Sequence, residues 1–450
     1  MNYKKVFSST RFHTKSQNNF SIDSKNKSVI IGRRPDSEGR TAFIGKIIEQ
    51  GRASNVLDYG VQCDIAFPHV VGIFGSRGSG KSFDLGVLLE GVFIPEAASG
   101  PVREAAIVFD VQDQFWTLAY EPKPTIVDDQ SQLADLGRWG LQPNRVANVH
   151  VLVPLGSDTQ VPGAVHFALS ADQLSTADWL AILELERFSA MGQGLITLLA
   201  DVGAATPSEL AQACAAGQAL GSFQQGTIDG LQWRLESLAT TRIIEPTGLS
   251  IDELLRPSRL SVVLMRNLAE SIRGLVVGVV SRLVADRMGR IQQARKVALR
   301  APNPSEGPSA ELTGRLWLVL DEAHVLVPSD GTTAATGPLI DYVKRGRDAG
   351  LSLVFATQQP SAVNSKLMSQ VDLSITHMLG FETDLSAAVA RMPTRANVEY
   401  DVDNQKVSSI ADVIRSLGPG EAVVADAASG RAFILKVRPR MTAHGGATPK

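Results

Sequence analysis

A single stretch, residues 70–82, restricts the fold of this 450-residue chain more than any other. It fits the pattern G-x-x-x-x-G-K-[ST] through Gly75, Gly80, Lys81 and Ser82. Short apolar residues precede it and leucines at helical spacing follow it, which is the strand–loop–helix setting that a phosphate-binding loop requires. In such a loop, backbone N–H groups surround phosphate oxygens at the positive end of a helix. The sequence therefore predicts a nucleoside triphosphate site rather than an ordinary glycine-rich turn.

The residues of this loop have separate expected roles. Lys81 is expected to reach the β- and γ-phosphates, and the Ser82 hydroxyl is expected to ligate Mg²⁺. The full predicted nucleotide-binding set is Gly75, Ser76, Arg77, Gly78, Ser79, Gly80, Lys81, Ser82 and Phe83.

A second set of candidate residues follows the apolar run at 316–320, which predicts a buried strand. Asp321 and Glu322 stand at its C-terminal end, and ligands bind at that edge of an open α/β sheet. Asp321 is expected to hold Mg²⁺, and Glu322 is expected to polarise the attacking water. His324 fits a structural or helix-capping role as well as that of a nucleotide sensor.

The next strand, predicted at 351–356, is followed by Thr357 and Gln358, a polar pair well placed to sense the γ-phosphate. Arg345 and Arg347 precede that strand, and a guanidinium group suits the charge of a transferring phosphate. If one of them faces the nucleotide of a neighbouring subunit, it is an arginine finger. The alternative is a solvated basic helix end.

Composition limits where such a protein works. The formal net charge is −2, so any DNA contact must come from a local patch or a lined channel. Cys63 and Cys214 have no metal-binding or redox spacing, which favours a reducing compartment. The N-terminus has no apolar leader, and the apolar run at 274–280 is too short to span a bilayer. We expect a soluble, cytoplasmic protein without a membrane partner.

Changes of pattern along the chain predict its organisation. Three β-leaning segments at 28–32, 42–49 and 56–65 indicate a small antiparallel unit, and Ser175 with Asp178 forms a capping-box pattern that opens a helical region. Residues 8–28 and 301–314 are expected to be flexible. The expected divisions are an N-terminal tail with a small β module (1–66), the first part of the core (67–165), a helical insertion (166–257), the second part of the core (258–440) and a C-terminal tail (441–450).

In the order and spacing of its motifs, the chain resembles the HerA branch of the HerA–FtsK superfamily, ring-forming ATPases that translocate DNA. The resemblance rests on residues 75–82, 318–324, 345–350, 356–361 and 369–370, and on the closing segment at 418–439, and it spans roughly residues 40 to 440.

This resemblance implies an α/β, RecA-like P-loop core with a mostly parallel sheet. It also implies a hexamer with ATP and Mg²⁺ at the subunit interfaces and duplex DNA in a central channel. By the same resemblance, Asp321 and Glu322 are the Walker B pair, and Thr357 and Gln358 are the sensor. Arg347 is the preferred arginine finger, with Arg345 second.

The chain departs from the family pattern in two places. The space before residue 66 is short for the family's N-terminal assembly barrel, so a reduced barrel is expected. The family often has Asp-Pro-His-Gly-Glu-Tyr after its second strand, whereas this chain has Asp-Val-Gln-Asp-Gln-Phe at residues 110–115, with Gln114 in the place of the glutamate.

Three functions are compatible with these features. The first is a hexameric motor that moves duplex DNA and supplies a partner nuclease or NAD-hydrolase-type effector, in DNA-end processing or anti-phage defence. The second is an ATP-dependent scaffold that switches an effector without translocation. The third, a DEAH-type helicase suggested by residues 321–324, would need a second RecA-like domain downstream.

Overall fold

The computed structural model describes residues 4–14, 22–23, 25–33, 38–51, 56–95, 101–217, 219–300, 312–392 and 400–446. The segments expected to be flexible, 8–28 and 301–314, lie partly outside these ranges, as does the expected tail 441–450.

The described strands are β1 (Phe12–Thr14), β2 (Ile22–Asp23), β3 (Ser28–Ile31), β4 (Thr41–Ile47), β5 (Glu49–Gly51), β6 (Gly60–Asp64), β7 (Val70–Phe74), β8 (Ala105–Asp110), β9 (Val149–Pro154), β10 (Val165–Phe167), β11 (Leu169–Ser170), β12 (Ile244–Glu245), β13 (Leu260–Leu264), β14 (Leu316–Leu320), β15 (Leu351–Thr357), β16 (Leu373–Thr376), β17 (Tyr400–Val402), β18 (Gln405–Val407), β19 (Glu421–Asp426) and β20 (Arg431–Val437).

The described α-helices are α1 (Lys81–Phe93), α2 (Val127–Trp139), α3 (Thr176–Ile182), α4 (Ala190–Val202), α5 (Pro207–Ala216), α6 (Gln225–Thr240), α7 (Ile251–Leu254), α8 (Glu270–Ala298), α9 (Ala323–Leu326), α10 (Thr336–Ala349), α11 (Ser365–Met368), α12 (Glu382–Val389) and α13 (Ile410–Ser416).

The largest sheet runs in the order β10-β9-β13-β8-β14-β15-β7-β16-β19-β20-β4-β6-β3-β2. Its strands from β10 to β16 are parallel to their neighbours. Every residue of β8, β13, β14 and β15 is buried, because these strands are nearly continuous apolar runs covered on both faces. The predicted α/β fold with a mostly parallel sheet is confirmed.

Helices cover the two faces of this sheet. Alternate strand residues point to opposite faces, so Ile107 and Phe109 join the apolar cluster that includes α8 and α10, whereas Ala106 and Val108 join the cluster that includes α1. This three-layer arrangement brings the carboxyl ends of β7, β8, β14 and β15 to one edge of the sheet.

Strands β2, β3, β4 and β6 continue the same sheet, whereas β1 and β5 belong to a separate four-stranded sheet with β17 and β18. Antiparallel pairing of β20 with β4 joins β2, β3, β4 and β6 to the core, and at that crossing a Cβ on Gly45 would lie 2.3 Å from the carbonyl oxygen of Lys436. The three predicted segments do form strands, but they are not uniformly antiparallel. Strand β6 lies between β4 and β3, so it pairs antiparallel with β4 and parallel with β3. The boundary at residue 66 stays a prediction.

The region at 166–257 contains α3 to α7. The predicted capping box is confirmed, because the Asp178 N–H donates to Ser175 Oγ at 3.3 Å and the Ser175 N–H donates to Asp178 Oδ2 at 2.8 Å. The short strands β11 and β12 also lie within this region and pair in parallel, so the stretch is not entirely helical. No helix among the described residues is both long and apolar enough to cross a membrane.

Candidate active site

The loop between β7 and α1 has the geometry that its glycines predict. Gly78 and Gly80 have φ of 74° and 116°, a region that favours glycine. A Cβ on Gly75 would lie 2.3 Å from Ser79 Oγ and 2.9 Å from His377 Cβ. Positions 78 and 80 therefore need glycine for their backbone conformation, and position 75 needs it because the loop folds tightly over itself and over the residue that follows β16.

Two contacts hold the loop against the residues that follow β16. The Ser76 N–H donates to the carbonyl oxygen of Met378 at 2.9 Å, just beyond β16. The buried ring of His377 places Nε2 2.7 Å from Asp84 Oδ2 in α1 and Nδ1 2.9 Å from the carbonyl oxygen of Glu421. The start of α1 is therefore fastened to the neighbouring strand β16 and to β19.

Lys81 begins α1 and is itself buried. Its Nζ donates to the carbonyl oxygen of Ser76 at 3.0 Å, within the loop. Burial lowers the pKa of Lys81, and the nearby charges of Glu322 and Asp321 oppose that effect. The ammonium group is thus held inside the loop close to two carboxylates.

Asp321 follows β14 and is almost fully buried. Burial, together with the neighbouring charge of Glu322, raises its pKa to about 7, although the charge of Lys81 opposes the shift. Its Oδ1 accepts the N–H of Glu322 at 3.1 Å, whereas its buried Oδ2 has no hydrogen-bond partner in the part of the chain that the structure describes. A buried carboxylate oxygen without a partner is costly unless a ligand satisfies it.

Glu322 has a left-handed backbone, with φ of 53°. For a residue with a side chain this conformation costs about 1–3 kcal/mol, and such residues cluster at functional sites. Gln358 Nε2 donates to Glu322 Oε1 at 2.5 Å, and Gln112 Nε2 donates to the same oxygen at 3.4 Å. Glu322 Oε2 is buried and accepts no hydrogen bond from a described residue. One oxygen is therefore held by amides, and the other remains available as a base.

The end of β15 is connected to this carboxylate through His324. His324 Nδ1 lies 3.1 Å from Thr357 Oγ1 and 3.5 Å from Glu322 Oε2. Thr357 Oγ1 accepts the N–H of Gln359 at 3.0 Å. Thr357, Gln358 and Glu322 thus form one group, as the sequence predicts, and His324 lies between Thr357 and Glu322.

Sequence reasoning missed Gln112. It lies just beyond β8, and Gln114 Nε2 donates to its Oε1 at 2.7 Å, so two glutamines extend toward Glu322. Asp110 fixes this loop by accepting the N–H groups of Gln112 at 3.2 Å and of Phe115 at 2.7 Å. The apolar runs that form β8 and β14 could have predicted this contact, because both are buried parallel strands and the residues after them lie at the same edge of the sheet.

Of these side chains, Gln112, Gln114, Glu322 and Gln358 line one cavity of about 890 Å³ at the carboxyl edge of the sheet. Two further parts of the chain reach it that the sequence did not indicate, Arg266 after β13 and residues 444–446 near the C-terminus. The loop residues that line it are Arg77, Gly78, Gly80, Lys81, Ser82 and Phe83.

The chemistry of the donor set fits Mg²⁺. This ion prefers oxygen ligands and is usually bound by one or two carboxylates together with substrate phosphates. The unpartnered Oδ2 of Asp321 and the Ser82 hydroxyl, which lines the cavity, are oxygens of the required kind.

The two candidate arginines lie elsewhere. They are in the last turns of α10, which leads into the start of β15, whereas the P-loop follows the end of the parallel strand β7. A five-residue strand spans about 16 Å, so they stand at the opposite edge of the sheet. Arg345 pairs with Asp286 at 2.8 Å, and the exposed Arg347 forms no ion pair with any described residue. The structure does not bring either arginine to the P-loop of its own chain.

Comparisons with known proteins agree with this architecture. Residues 310–437 match the family described as "Helicase HerA-like C-terminal". A relative described as "Probable DNA double-strand break repair helicase HerA", from Methanocaldococcus jannaschii, is 26% identical over 155 residues, which is 34% of this chain and 29% of that protein. The chain therefore matches less than a third of the length of this relative.

Solved structures share the fold at low identity. VirB4 of Thermoanaerobacter pseudethanolicus aligns with a TM-score of 0.52 at 15% identity, over 89% of this chain and 97% of that one. The plasmid coupling protein TrwB in complex with ADP and Mg²⁺ aligns with a TM-score of 0.52 at 15% identity, over 92% and 98%. The resemblance predicted from the motifs is confirmed by the family match over residues 310–437, and the solved structures share the predicted fold.

Proposed function

From its resemblance to the HerA branch of the HerA–FtsK superfamily, we propose that this chain is a Mg²⁺-dependent ATPase that forms a hexameric ring and translocates duplex DNA. The observation that carries the proposal is the set of unsatisfied carboxylate oxygens on Asp321 and Glu322, which lie beside Lys81 at the mouth of a P-loop. Buried charges arranged in this way are stabilised by a ligand that carries phosphate and a cation.

The residues of this site have separate parts in the proposed hydrolysis. The N–H groups of the loop and the Lys81 ammonium group bind the phosphates. Ser82 and Asp321 hold Mg²⁺, which when bound neutralises charge on the phosphate oxygens. Glu322 accepts a proton from the attacking water through Oε2, while Gln358 holds Oε1 in place.

The position of the arginines supports a ring. Neither Arg345 nor Arg347 lies at the P-loop of its own chain, so a role in catalysis requires that they reach the nucleotide of an adjacent subunit. Arg347 is the better candidate, because Arg345 is occupied by Asp286. An arginine supplied from a neighbour makes hydrolysis depend on assembly.

The scaffold alternative keeps the same site without movement along DNA. The DEAH-type alternative is the least supported. It would need a second RecA-like domain after His324, whereas the strands that follow His324 in the large sheet, β15, β16, β19 and β20, complete the same sheet that carries the P-loop. The partner effector, a nuclease or NAD hydrolase, and a role in DNA-end processing or anti-phage defence belong to the proposal. Native mass spectrometry with ATP and with the product of the neighbouring gene tests ring size and partner.

Steady-state ATPase assays with and without duplex DNA test the motor directly. We expect hydrolysis to rise severalfold with DNA, and we expect Glu322→Gln to bind ATP without turning it over. The exposed Glu236→Gln on α6 is the matched control and is expected to behave as wild type. Hydrolysis that ignores DNA would favour the scaffold, and normal turnover by Glu322→Gln would remove Glu322 from the role of base.

Mixed rings test the interface. Arg347→Ala and Glu322→Gln subunits are each expected to be inactive alone. When they are mixed, some interfaces pair an intact Glu322 with an intact Arg347, so part of the activity should return. Mixtures with Arg345→Ala provide the comparison, and no recovery at any ratio would assign Arg347 a role outside a shared site.

A further inference from the structure

The last described residues of the chain, 438–446, leave the sheet after β20 and end at the nucleotide cavity. We call residues 438–446 the C-terminal strap. The Arg438 N–H donates to the carbonyl oxygen of Ile44 at 3.0 Å, and the Ala443 N–H donates to that of Tyr120 at 2.8 Å. Gly445 and Gly446 then line the same cavity as Lys81 and Glu322. The strap therefore reaches from the antiparallel part of the sheet to the P-loop.

The strap is fastened to α1, the helix that begins in the P-loop. Glu90 of α1 accepts hydrogen bonds from Arg438 Nη1 at 2.6 Å, from the Met441 N–H at 3.0 Å and from the Thr442 N–H at 2.8 Å. Arg440 packs so closely that a Cβ on Gly86 would lie 2.7 Å from its guanidinium carbon. Buried, charge-assisted hydrogen bonds of this kind fix the strap relative to the loop.

The strap holds His444 in one chemical form. Arg440 Nη1 lies 3.1 Å from His444 Nδ1, and because a guanidinium group donates only, Nδ1 is the acceptor and the ring proton is on Nε2. Burial, together with the charge of Arg440, lowers the pKa of His444 to about 3. The imidazole is thus neutral, with one N–H donor whose position is set by the strap.

His444 also contacts the residue that follows the P-loop serine. Its ring packs edge-to-face against Phe83, with the ring centroids 5.5 Å apart. Both rings line the nucleotide cavity and also a second cavity of about 850 Å³ on the far side of the loop, which Trp139 and Asp128 border. The pair therefore stands at the boundary between the two cavities.

The direction of a bound triphosphate places its base at this pair. The γ-phosphate belongs beside Glu322 and Gln358, and the loop N–H groups enclose the α- and β-phosphates. The α-phosphate then lies toward Phe83, and the ribose and base continue past it, away from Glu322. Aromatic side chains can stack on any nucleobase, because every base has a π-face.

We propose that Phe83 and His444 form the nucleobase subsite of this nucleotide site, and that the C-terminal strap exists to deliver His444 to it. The inference rests on the proposed function and deepens it. The strap supplies a rigid aromatic donor that the P-loop itself lacks, and Gly445 and Gly446 let the chain approach Gln114, where a Cβ would lie 2.6 Å and 2.9 Å from its backbone and side-chain oxygens.

Binding of ATP and of inorganic tripolyphosphate, which lacks a base, tests the subsite by calorimetry on the full chain with Mg²⁺. A stacked base contributes about 1–3 kcal/mol, so we expect wild type to bind ATP about five- to 150-fold more tightly than tripolyphosphate. His444→Ala and Phe83→Ala should remove most of that difference and leave tripolyphosphate affinity unchanged. His444→Gln, which keeps a donor and an acceptor, should restore part of it, and the exposed His166→Ala is the control.

Two results would overturn the subsite. One is equal affinity of wild type for ATP and tripolyphosphate, and the other is His444→Ala and Phe83→Ala variants that keep the full preference for ATP. Equal loss of both ligands in His444→Ala would assign the strap a structural role at the loop. Failure of wild type to bind either ligand would instead overturn the proposed function itself, so the two failures are distinguishable.

Discussion

Helix α1 buries a charged residue near each end, and the two surroundings differ. At its C-terminal half, both oxygens of Glu90 are satisfied, Oε1 by Thr442 and Oε2 by Arg438 and Met441. About two and a half turns earlier, Lys81 lies beside Asp321 and Glu322, each of which has a buried oxygen that accepts no hydrogen bond from a described residue.

This difference separates a structural cluster from a functional one. Burying a charge costs several kcal/mol unless hydrogen bonds and an opposite charge offset it. The Glu90 cluster offsets most of that cost within the chain, although the buried Nε of Arg440 has only an ion-pair contact with Glu90 Oε1 at 3.7 Å, and it joins the C-terminal strap to α1. In the cluster around Lys81, the free-energy cost of burying the charges is only partly offset within the chain. Folded proteins retain such an arrangement where a ligand completes it.

The largest expected effect is that of Lys81→Ala on binding. Loss of the buried ammonium group should weaken ATP binding by about a hundredfold or more, because the phosphates lose a desolvated cation. The thermal midpoint without ligand should change little, since Lys81 bonds to a single loop carbonyl group. Calorimetric titration and a melting curve measure both, and tight ATP binding by this variant would contradict the phosphate-loop assignment.

Glu90→Ala should show the opposite pattern. It leaves Arg438 and Arg440 buried without their carboxylate, so the free energy of unfolding should fall by about 3–5 kcal/mol. Urea denaturation without nucleotide measures the loss, and Glu236→Ala on the exposed face of α6 is the control. An unfolding free energy equal to that of wild type would contradict the structural role assigned to the Glu90 cluster, and with it the contrast between the two ends of α1.

Another buried carboxylate sharpens the comparison, because Glu49 has hydrogen bonds but no ion pair with any residue that the structure describes. It accepts from the Ile434 N–H at 3.0 Å and from the Tyr400 hydroxyl at 3.4 Å, and burial raises its pKa to about 7. A raised pKa in the folded state favours the protonated form. Its contribution to stability is therefore complete below about pH 4.5 and is lost as the pH rises to about 7.

Glu49→Gln should remove this loss, which amounts to about 1.4 kcal/mol for each unit by which the pKa is raised. Denaturation at a series of pH values between 4 and 8 compares the variant with wild type. A wild-type slope that persists in Glu49→Gln would assign the pH dependence to other groups.

Much of the core and of the site could be predicted because the determining interactions are local. Gly75 to Ser82 specify a loop by their own backbone requirements, and the apolar runs before Asp321 and Thr357 specify buried strands. Parallel strands then bring the residues after them to one edge. The grouping of Lys81, Glu322 and Gln358 follows from these rules.

The parts that could not be predicted depend on contacts between distant positions. Gly45 meets Val437 in the sheet, and Gln112 meets Glu322, although each pair is far apart in the sequence. The spacing of apolar residues along the chain does not reveal which distant positions come into contact. Of the C-terminal strap, residues 441–446 fall in the predicted tail and residues 438–440 in the predicted core. Its position depends on Glu90, a residue inside an ordinary helical pattern.

The continuity of the sheet has a mechanical consequence. Between β4, near the N-terminus, and β7, which carries the P-loop, lie β20, β19 and β16, each joined to the next by backbone hydrogen bonds. A protein that grips the outer strands and tilts them would exert torque on β7 and displace the phosphate loop without approaching the nucleotide. Conversely, closure of the loop around phosphate would change the tilt of the outer strands. Binding of a partner at those strands and binding of nucleotide at the loop would therefore affect each other.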